Sequence, residues 1–332
     1  MTKLNSHHLT LTFSSRSFLG LALFTLAATL VTFAQTPKKA EDFNNRGLER
    51  QQAGDLEGAI EDYTRALTMK GSPREVLAAA YNNRANALTM KNDLDGAIAD
   101  YTKAIENDPN NFENFYNRGV VRQSKTDYDG AIADFSKAIE MQSGLAPAFN
   151  NRGNAKRAKG DIPGALRDYT SAIQAGPKYA EAYYNRGAVL QAQHALDSAI
   201  NDYTYAIAFR PLFAEAYANR GGARQEKGNL DGALADYDKV IELRPDDAGA
   251  YYARATVRQA KHDLAGAIAD YSKTIQLDPA SANSFANRAV CEAELGKNEE
   301  ALKDFEKAFQ LDPSLRPIHK DYIEKKLHRK SP

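Results

Sequence analysis

Arginine and aspartate recur at fixed spacing along this 332-residue chain, and their charged side chains could bind a substrate or form ion pairs. Successive arginines are 34 residues apart, except for a first interval of 38, at Arg46, Arg84, Arg118, Arg152, Arg186, Arg220, Arg254 and Arg288. An aspartate follows each arginine sixteen residues later, at Asp62, Asp100, Asp134, Asp168, Asp202, Asp236, Asp270 and Asp304. A guanidinium matches a carboxylate through two parallel hydrogen bonds, so these residues could clamp an acidic substrate or pair with one another. A catalytic site is asymmetric, whereas this constellation occurs eight times in register, which favours a structural role.

Primary amides form a second repeated set beside the arginines. Asparagine directly precedes seven of the arginines, at Asn45, Asn83, Asn117, Asn151, Asn185, Asn219 and Asn287, and Ala253 is the exception. Glutamine stands five residues after five of the arginines, at Gln51, Gln123, Gln191, Gln225 and Gln259, and tyrosine stands two residues before three of them, at Tyr116, Tyr184 and Tyr252. An amide offers both a donor and an acceptor, so it can match the backbone of an extended peptide whatever its sequence.

Other catalytic or metal-binding chemistry has no support in the sequence. Cys291 is the single cysteine, which excludes an intramolecular disulfide and a multi-thiolate zinc site. His194 and His262 fall in turns of two different segments, too far apart in the repeat to share a metal. No nucleophile elbow, phosphate loop or metal-ligand motif is present. We therefore expect no enzymatic activity and no cofactor.

The elements that position these residues are predicted to be paired helices in eight units. The units cover 40–77, 78–111, 112–145, 146–179, 180–213, 214–247, 248–281 and 282–315. Alanine at position 20 and aromatic residues at positions 4 and 24 recur in all eight units, and proline at position 32 recurs in six. This pattern predicts a helix A over about positions 2–14, a turn, and a helix B that ends before the proline. Four extra residues at 70–73 predict that helix A of unit two starts one turn early, with Ser72 as its N-cap.

These positions resemble the tetratricopeptide repeat family over residues 40–315, because the period and the small, aromatic and proline positions all agree. The resemblance implies an all-α fold, a superhelical solenoid of eight helix-turn-helix repeats with a concave binding face. Leu315, Ile318, Tyr322 and Leu327 have near-helical spacing, which predicts that residues 316–332 form a capping helix with a basic tail.

The charged positions depart from the family pattern. Positions 7 and 23 are usually large and apolar in the family, whereas here they are always arginine and aspartate. A partly buried arginine without a partner would be costly, so the paired replacement predicts a structural ion pair in each unit. The pairs expected in the middle of the solenoid are Arg118 with Asp134, Arg152 with Asp168, Arg186 with Asp202, and Arg220 with Asp236.

The resemblance also implies that the repeated asparagines, glutamines and tyrosines line the concave groove. Two interpretations of the asparagines stay open. They bind the backbone of a peptide, as in some members of the family, or they solvate the face. A protein or an extended peptide is the expected partner, and formation of an oligomer stays open.

Residues 1–34 have the pattern of a secretory signal peptide. Lys3 and Arg16 precede an apolar run that ends with the small residues of a cleavage site after Ala34. An uncleaved membrane anchor is the alternative. Export to the periplasm or the extracellular space is therefore expected, with any contact to the membrane made only through this segment.

The charge balance limits the classes of partner. Without residues 1–34, which contain Lys3, Arg16 and no acidic residue, 41 basic residues remain against 43 acidic ones. Such a balance argues against a nucleic-acid-binding protein. The sequence thus predicts a non-enzymatic scaffold or adaptor in the cell envelope. The alternatives are a recruitment arm for a catalytic protein on another polypeptide and, less favoured, an RNA-binding helical repeat.

Overall fold

The computed structural model describes residues 38–327, and these form seventeen α-helices with no strand among them. In order along the sequence the helices are α1 (Ala40–Gln52), α2 (Leu56–Thr68), α3 (Arg74–Met90), α4 (Leu94–Asn107), α5 (Phe112–Ser124), α6 (Tyr128–Met141), α7 (Ala146–Ala158), α8 (Ile162–Ala175), α9 (Ala180–Ala192), α10 (Leu196–Phe209), α11 (Ala214–Glu226), α12 (Leu230–Leu243), α13 (Ala248–Ala260), α14 (Leu264–Leu277), α15 (Ala282–Glu294), α16 (Asn298–Leu311) and α17 (Leu315–Lys326). The predicted all-α class is confirmed. The proposed signal peptide, residues 1–34, lies outside the described residues.

The turn inside each hairpin is built from a fixed set of residues. The turn after helix A contains a residue with positive φ, which glycine tolerates best, as in Gly54 and Gly160. Asn92, Thr126, His194 and His262 take the same conformation in other units, so both histidines are turn residues. An aspartate or asparagine then caps helix B in most units. For example, the Asp127 carboxylate accepts a hydrogen bond from the Gly130 amide at 3.0 Å.

Helix A of unit two begins early, at Arg74, as the four extra residues predict. The N-cap is Pro73 rather than Ser72, so this part of the prediction is wrong. The Ser72 hydroxyl instead donates a hydrogen bond to the carbonyl of Met69, the C-cap residue of α2, at 2.9 Å. The start of α3 therefore has no side-chain cap.

Small and aromatic side chains bring the two helices of each hairpin together. In unit three, Ala131 and Phe135 are fully buried, and Gly119 lies across from the Phe135 ring. A β-carbon at Gly119 would come within 2.8 Å of that ring, so only glycine allows this approach. Other units place Ala85, Ala255 or Ala289 at the same point, where the helices accept one methyl group.

Helix α17 covers the last hairpin. Leu315 and Leu327 are buried against Phe305 and Phe309, and Tyr322 packs beside them. Ile318 is 69% exposed and does not join this cluster, contrary to its predicted place on the capping face. Ile323 contributes instead, because it lies one residue beyond Tyr322 on the packed side of the helix.

The helices A line the inner side of the stack. Consecutive hairpins pack through helix B of one unit and helix A of the next, and at most junctions the helices A of successive units also contact each other, as α1 does with α3. Helices B of successive units have no contact of comparable extent between residues 38 and 327, so they lie farther apart on the outer side. None of the helices in this range has the length and apolar character of a membrane-spanning helix.

Candidate functional site

Each Arg–Asp pair joins the two helices of one hairpin. In unit three the Arg118 Nε and Nη2 atoms donate to the Asp134 carboxylate at 2.9 and 2.7 Å. The same two-point contact links Arg152 to Asp168 at 2.9 and 2.7 Å, Arg186 to Asp202 at 2.8 and 2.8 Å, and Arg220 to Asp236 at 3.1 and 2.7 Å. All eight aspartates are buried. The aspartate therefore sits where water is excluded and the guanidinium supplies its counter-charge.

The remaining guanidinium nitrogen reaches the preceding unit. Arg118 Nη1 donates to the Thr102 hydroxyl on α4 at 3.0 Å, and Arg152 Nη1 donates to Ser136 on α6 at 3.0 Å. The Arg118 guanidinium also lies 5.8 Å from the centroid of the Phe115 ring. From unit two onwards each of these arginines thus fixes its own hairpin and the junction before it. The guanidinium is engaged by the fold itself, which favours the structural role over a substrate clamp.

A further cation supports the aspartate in five units. Arg122 Nη1 donates to Asp134 at 2.8 Å, and Lys156 Nζ lies 2.8 Å from Asp168. Arg50, Arg224 and Arg258 make the corresponding contact in units one, six and seven. These cations were not predicted from the sequence, although aligning the units in register brings them together at position 11.

Unit eight reverses this arrangement. Glu292 stands at position 11, where five other units have a cation, and it is buried beside Asp304. Burial and the nearby Asp304 carboxylate raise the pKa of Glu292 to about 7. Its Oε2 atom is buried and has no hydrogen-bond partner among the described residues.

The groove asparagines hold successive helices A together. The Asn151 and Asn287 side chains donate to the hydroxyls of Tyr116 and Tyr252, each at 3.1 Å, and Asn219 donates to Tyr184 at 3.2 Å. The preceding unit has an asparagine instead of a tyrosine at three junctions, and at two of them the contact is amide to amide: Asn83 to Asn44 at 3.0 Å and Asn185 to Asn150 at 2.8 Å.

The one unit without a groove asparagine fits the same pairing. Ala253 follows Ala218, so neither member of the usual pair is present at that junction. The joint absence of both residues at this junction is a sequence signal from which the hydrogen-bonded pairing could have been predicted. The asparagines are therefore neither simply solvating nor wholly free, because one N–H of each bonded amide is engaged by its neighbour.

The groove glutamines accept hydrogen bonds from buried tyrosines of helix B. The donors are Tyr63 to Gln51 at 2.8 Å, Tyr203 to Gln191 at 2.8 Å, Tyr237 to Gln225 at 3.3 Å and Tyr271 to Gln259 at 2.9 Å. Tyr101 and Tyr169 use Asn86 and Asn154 instead, at 2.6 and 2.8 Å. Burial raises the pKa of Tyr63 and Tyr237 to about 12, so these hydroxyls keep their protons and remain donors.

Three predicted groove residues differ from this pattern. Asn45 belongs to unit one, so among the described residues no earlier helix A precedes it to which it could bond. Neither Asn117 nor Gln123 makes a side-chain hydrogen bond within residues 38–327. For Gln123 the reason is visible, because Phe135 replaces the tyrosine that would donate to it.

The remaining candidates lie in surroundings that do not activate them. Cys291 is buried, and its burial raises the pKa of its thiol to about 12, so it stays a neutral core residue. His194 Nδ1 lies 2.9 Å from Glu226 Oε1 in an exposed turn. The part of the protein that the structure describes contains no cluster of side chains able to hold a metal ion.

Family models match several parts of the sequence. A tetratricopeptide repeat model matches residues 78–111 and 282–315, a second matches 100–133, and a TPR repeat model matches 153–194 and 223–262, together more than half of the chain. The chain belongs to the tetratricopeptide repeat (TPR) family. The TPR resemblance inferred from the sequence is thereby confirmed. No curated protein matches it.

Solved TPR structures show the same fold. A TPR protein from Parabacteroides merdae is 18% identical over 76% of this chain and 98% of its own, with a TM-score of 0.56. The C-terminal part of a TPR repeat-containing protein from Cytophaga hutchinsonii is 20% identical, covering 69% and 94%, with a TM-score of 0.58. YrrB, described as a TPR protein with an unusual peptide-binding site, is 25% identical over 56% of this chain and 95% of its own, with a TM-score of 0.49.

Proposed function

We propose that this TPR protein is a non-enzymatic scaffold or adaptor that binds a protein or an extended peptide along its helix A face. The TPR fold is that of a protein-interaction scaffold. The observation that carries the proposal is the difference between the arginines and the amides. The guanidinium groups from unit two onwards are engaged by internal contacts, whereas groove amides such as Asn219 and Asn287 keep their side-chain oxygen free of protein partners among the described residues.

The rigid frame favours binding by the groove. Each groove asparagine that bonds to its neighbour is held in one orientation before a ligand arrives, so less conformational entropy is lost on binding. The open oxygen suits a backbone N–H of the ligand, and the second amide proton suits a backbone carbonyl. An array of such groups recognises an extended peptide with little dependence on its side chains.

Site-specific photocrosslinking in the native cell tests the proposal. Ala188 on α9 faces the groove and Ala133 on α6 is exposed on the outer side, and neither side chain makes a hydrogen bond that a photoreactive residue would break. We expect Ala188 to capture a polypeptide that Ala133 does not. The purified partner should bind the wild-type protein and the Ala133→Trp variant alike, and should lose affinity for Ala188→Trp. Equal binding by both tryptophan variants would contradict a groove function.

The proposal includes export, which rests on the sequence of residues 1–34 alone. N-terminal sequencing of the protein isolated from cells tests it, with Gln35 as the expected first residue. A mature protein that starts before Gln35 would contradict the cleavage site.

A further inference from the structure

The outer side of the solenoid, opposite the helix A groove, has one junction that differs from the others. Because helices B of successive units lie apart on this side, a furrow runs between them, with helix A of the later unit as its floor. Between units four and five, Leu166 and Thr170 of α8 face Ser198 and Asn201 of α10 across Leu190 of α9. These residues line a depression of about 380 Å³, which we call the α8–α10 furrow.

The α8–α10 furrow lacks charged residues that other units carry. Position 26 is lysine or arginine in six of the eight units, but it is Ser171 on α8 and Tyr205 on α10. Position 29 is glutamate in three units, where it pairs with that lysine, but Gln174 and Ala208 stand here. Position 11, on the floor, is a cation in five units and is Leu190 here. Departures at three positions of the repeat therefore meet in this furrow.

Polar side chains without internal partners take the place of these charges. Ser198 stands where six units have glycine, and Asn201 stands where four units have alanine. Neither of them, nor Ser171 or Gln174, makes a side-chain hydrogen bond within residues 38–327. Arg167 on the α8 wall forms no ion pair in the same range and supplies further N–H donors. Hydroxyl and amide side chains can each donate and accept, so the furrow offers both kinds of group to a ligand.

An exposed tyrosine ring continues the α10 wall. Tyr205 lies one turn beyond Asn201 and is 46% exposed. Its ring centroid is 5.3 Å from that of Tyr183 on α9 and 6.3 Å from that of Phe209, so neighbouring rings hold it in place. From Ser198 to Phe209 the wall extends over about 16 Å of helix, which is long enough for a short oligosaccharide.

We infer that the α8–α10 furrow binds a neutral oligosaccharide, with the Tyr205 ring packed on the face of one sugar and Asn201 and Gln174 hydrogen-bonded to its hydroxyl groups. A sugar hydroxyl both donates and accepts, as these side chains do. The C–H face of a sugar ring is apolar and packs on an aromatic ring. A neutral ligand that covered a lysine or glutamate would strip water from its charge, and the furrow avoids this cost at positions 11, 26 and 29. A docking protein would instead require an apolar centre, whereas polar groups predominate on these walls.

Isothermal titration calorimetry of the protein purified from cells, with cellohexaose, maltohexaose and chitohexaose as probes, tests this inference. We expect at least one of the three sugars to bind. Tyr205→Lys, which restores the residue type of other units, should weaken binding about tenfold or more, whereas Tyr205→Phe keeps the ring and should change the affinity less than about twofold. Asn201→Ala and Gln174→Ala should each weaken binding about three- to tenfold, because a hydrogen bond to the sugar is lost.

Two variants elsewhere in the protein are the matched controls. Gln310→Ala removes an exposed glutamine at position 29 of unit eight, and Ala188→Trp alters the helix A groove, so both should leave the affinity for the sugar unchanged. If none of the three sugars binds, or if Tyr205→Lys binds as tightly as the wild type, the inference is overturned. It is also overturned if an uncharged, acetylated and amidated hexapeptide binds in place of the sugars and is lost in Tyr205→Lys, because the furrow is then a protein-docking surface. The proposed groove function is tested separately, by the loss of the polypeptide partner in Ala188→Trp.

Discussion

The Arg–Asp layer and the groove amides are both repeated along the solenoid, yet they differ in how completely the fold uses them. Arg118 donates to Asp134 within its hairpin and to Thr102 in the preceding one. Asn219 makes one hydrogen bond to Tyr184, and Gln123 makes none among the described residues. Recurrence alone therefore does not separate a structural residue from a binding residue. What separates them is whether each donor and acceptor already has an internal partner.

The largest expected effect comes from breaking the charged layer in the middle of the solenoid. Asp168→Ala leaves Arg152 and Lys156 without their shared carboxylate, which should destabilise the protein by about 3–5 kcal/mol. Urea unfolding followed by circular dichroism measures this change. A triple replacement of Arg152, Lys156 and Asp168 by apolar residues of similar size should restore much of the stability, because no charge is then left unpaired. A loss below about 0.5 kcal/mol for Asp168→Ala would contradict a structural role for the pair.

The reversed charge in unit eight provides a pH-dependent test of the same layer. Glu292 has a pKa of about 7 in the folded protein against an ordinary value of 4.5. Because the folded pKa is raised, the unfolded protein loses this proton first, and Glu292 destabilises the fold increasingly from about pH 4.5 to pH 7. Glu292→Gln should therefore stabilise the protein by about 2 kcal/mol at pH 8, allowing for solvent screening, and by almost nothing at pH 4.

The control for this prediction is Glu294→Gln, which changes an exposed glutamate two residues away. Its effect on the unfolding free energy should be small at both pH values. An effect of Glu292→Gln that did not vary with pH would mean that the pKa of this carboxyl group is the same in the folded and unfolded protein, which would contradict the raised pKa.

The junction between units six and seven, which lacks the hydrogen bond between helices A, offers a way to add one. Ala218→Tyr together with Ala253→Asn should create the hydrogen bond present at three other junctions and stabilise the protein by about 1 kcal/mol. Each single substitution should have a much smaller effect, since the hydrogen bond needs both side chains. Thermal unfolding of the double variant and both single variants forms a double-mutant cycle, and a coupling energy of zero would contradict the proposed pairing.

A comparison of two glutamine variants sharpens the contrast inside the groove, and one of them should give the smallest change in stability. Gln191→Ala removes the acceptor of the Tyr203 hydroxyl and should cost about 1–2 kcal/mol, because the buried hydroxyl loses its partner. Gln123→Ala removes an amide without an internal partner in the described structure and should change the unfolding free energy by less than about 0.5 kcal/mol. Equal losses in the two variants would show that Gln123 has a structural partner after all.

Much of the fold follows from the repeat itself. Ala131, Phe135 and Gly119 sit at fixed positions of a 34-residue unit, and that register is enough to place helix A against helix B. The local departures were harder to predict. Ser72 has the residue type of an N-cap, but its hydroxyl is bonded to the Met69 carbonyl and α3 begins after Pro73. Ile318 fits the helical spacing, but the side of α17 that packs on the last hairpin carries Leu315, Tyr322 and Ile323, and Ile318 is exposed.

The sequence by itself determined that this protein is a stack of helical hairpins and that each unit has one arginine at position 7 and one aspartate at position 23, because both properties repeat with the unit. Only the tertiary structure decided which groove amides are engaged. Asn151 meets Tyr116, and Gln191 meets Tyr203, across helices that come together only when the units fold and stack. A hydrogen bond requires the donor and acceptor to be placed to within a few tenths of an ångström, and the residue pattern does not specify positions that closely. For that reason the contrast between Gln191 and Gln123 is invisible in the glutamine repeat and clear in the fold.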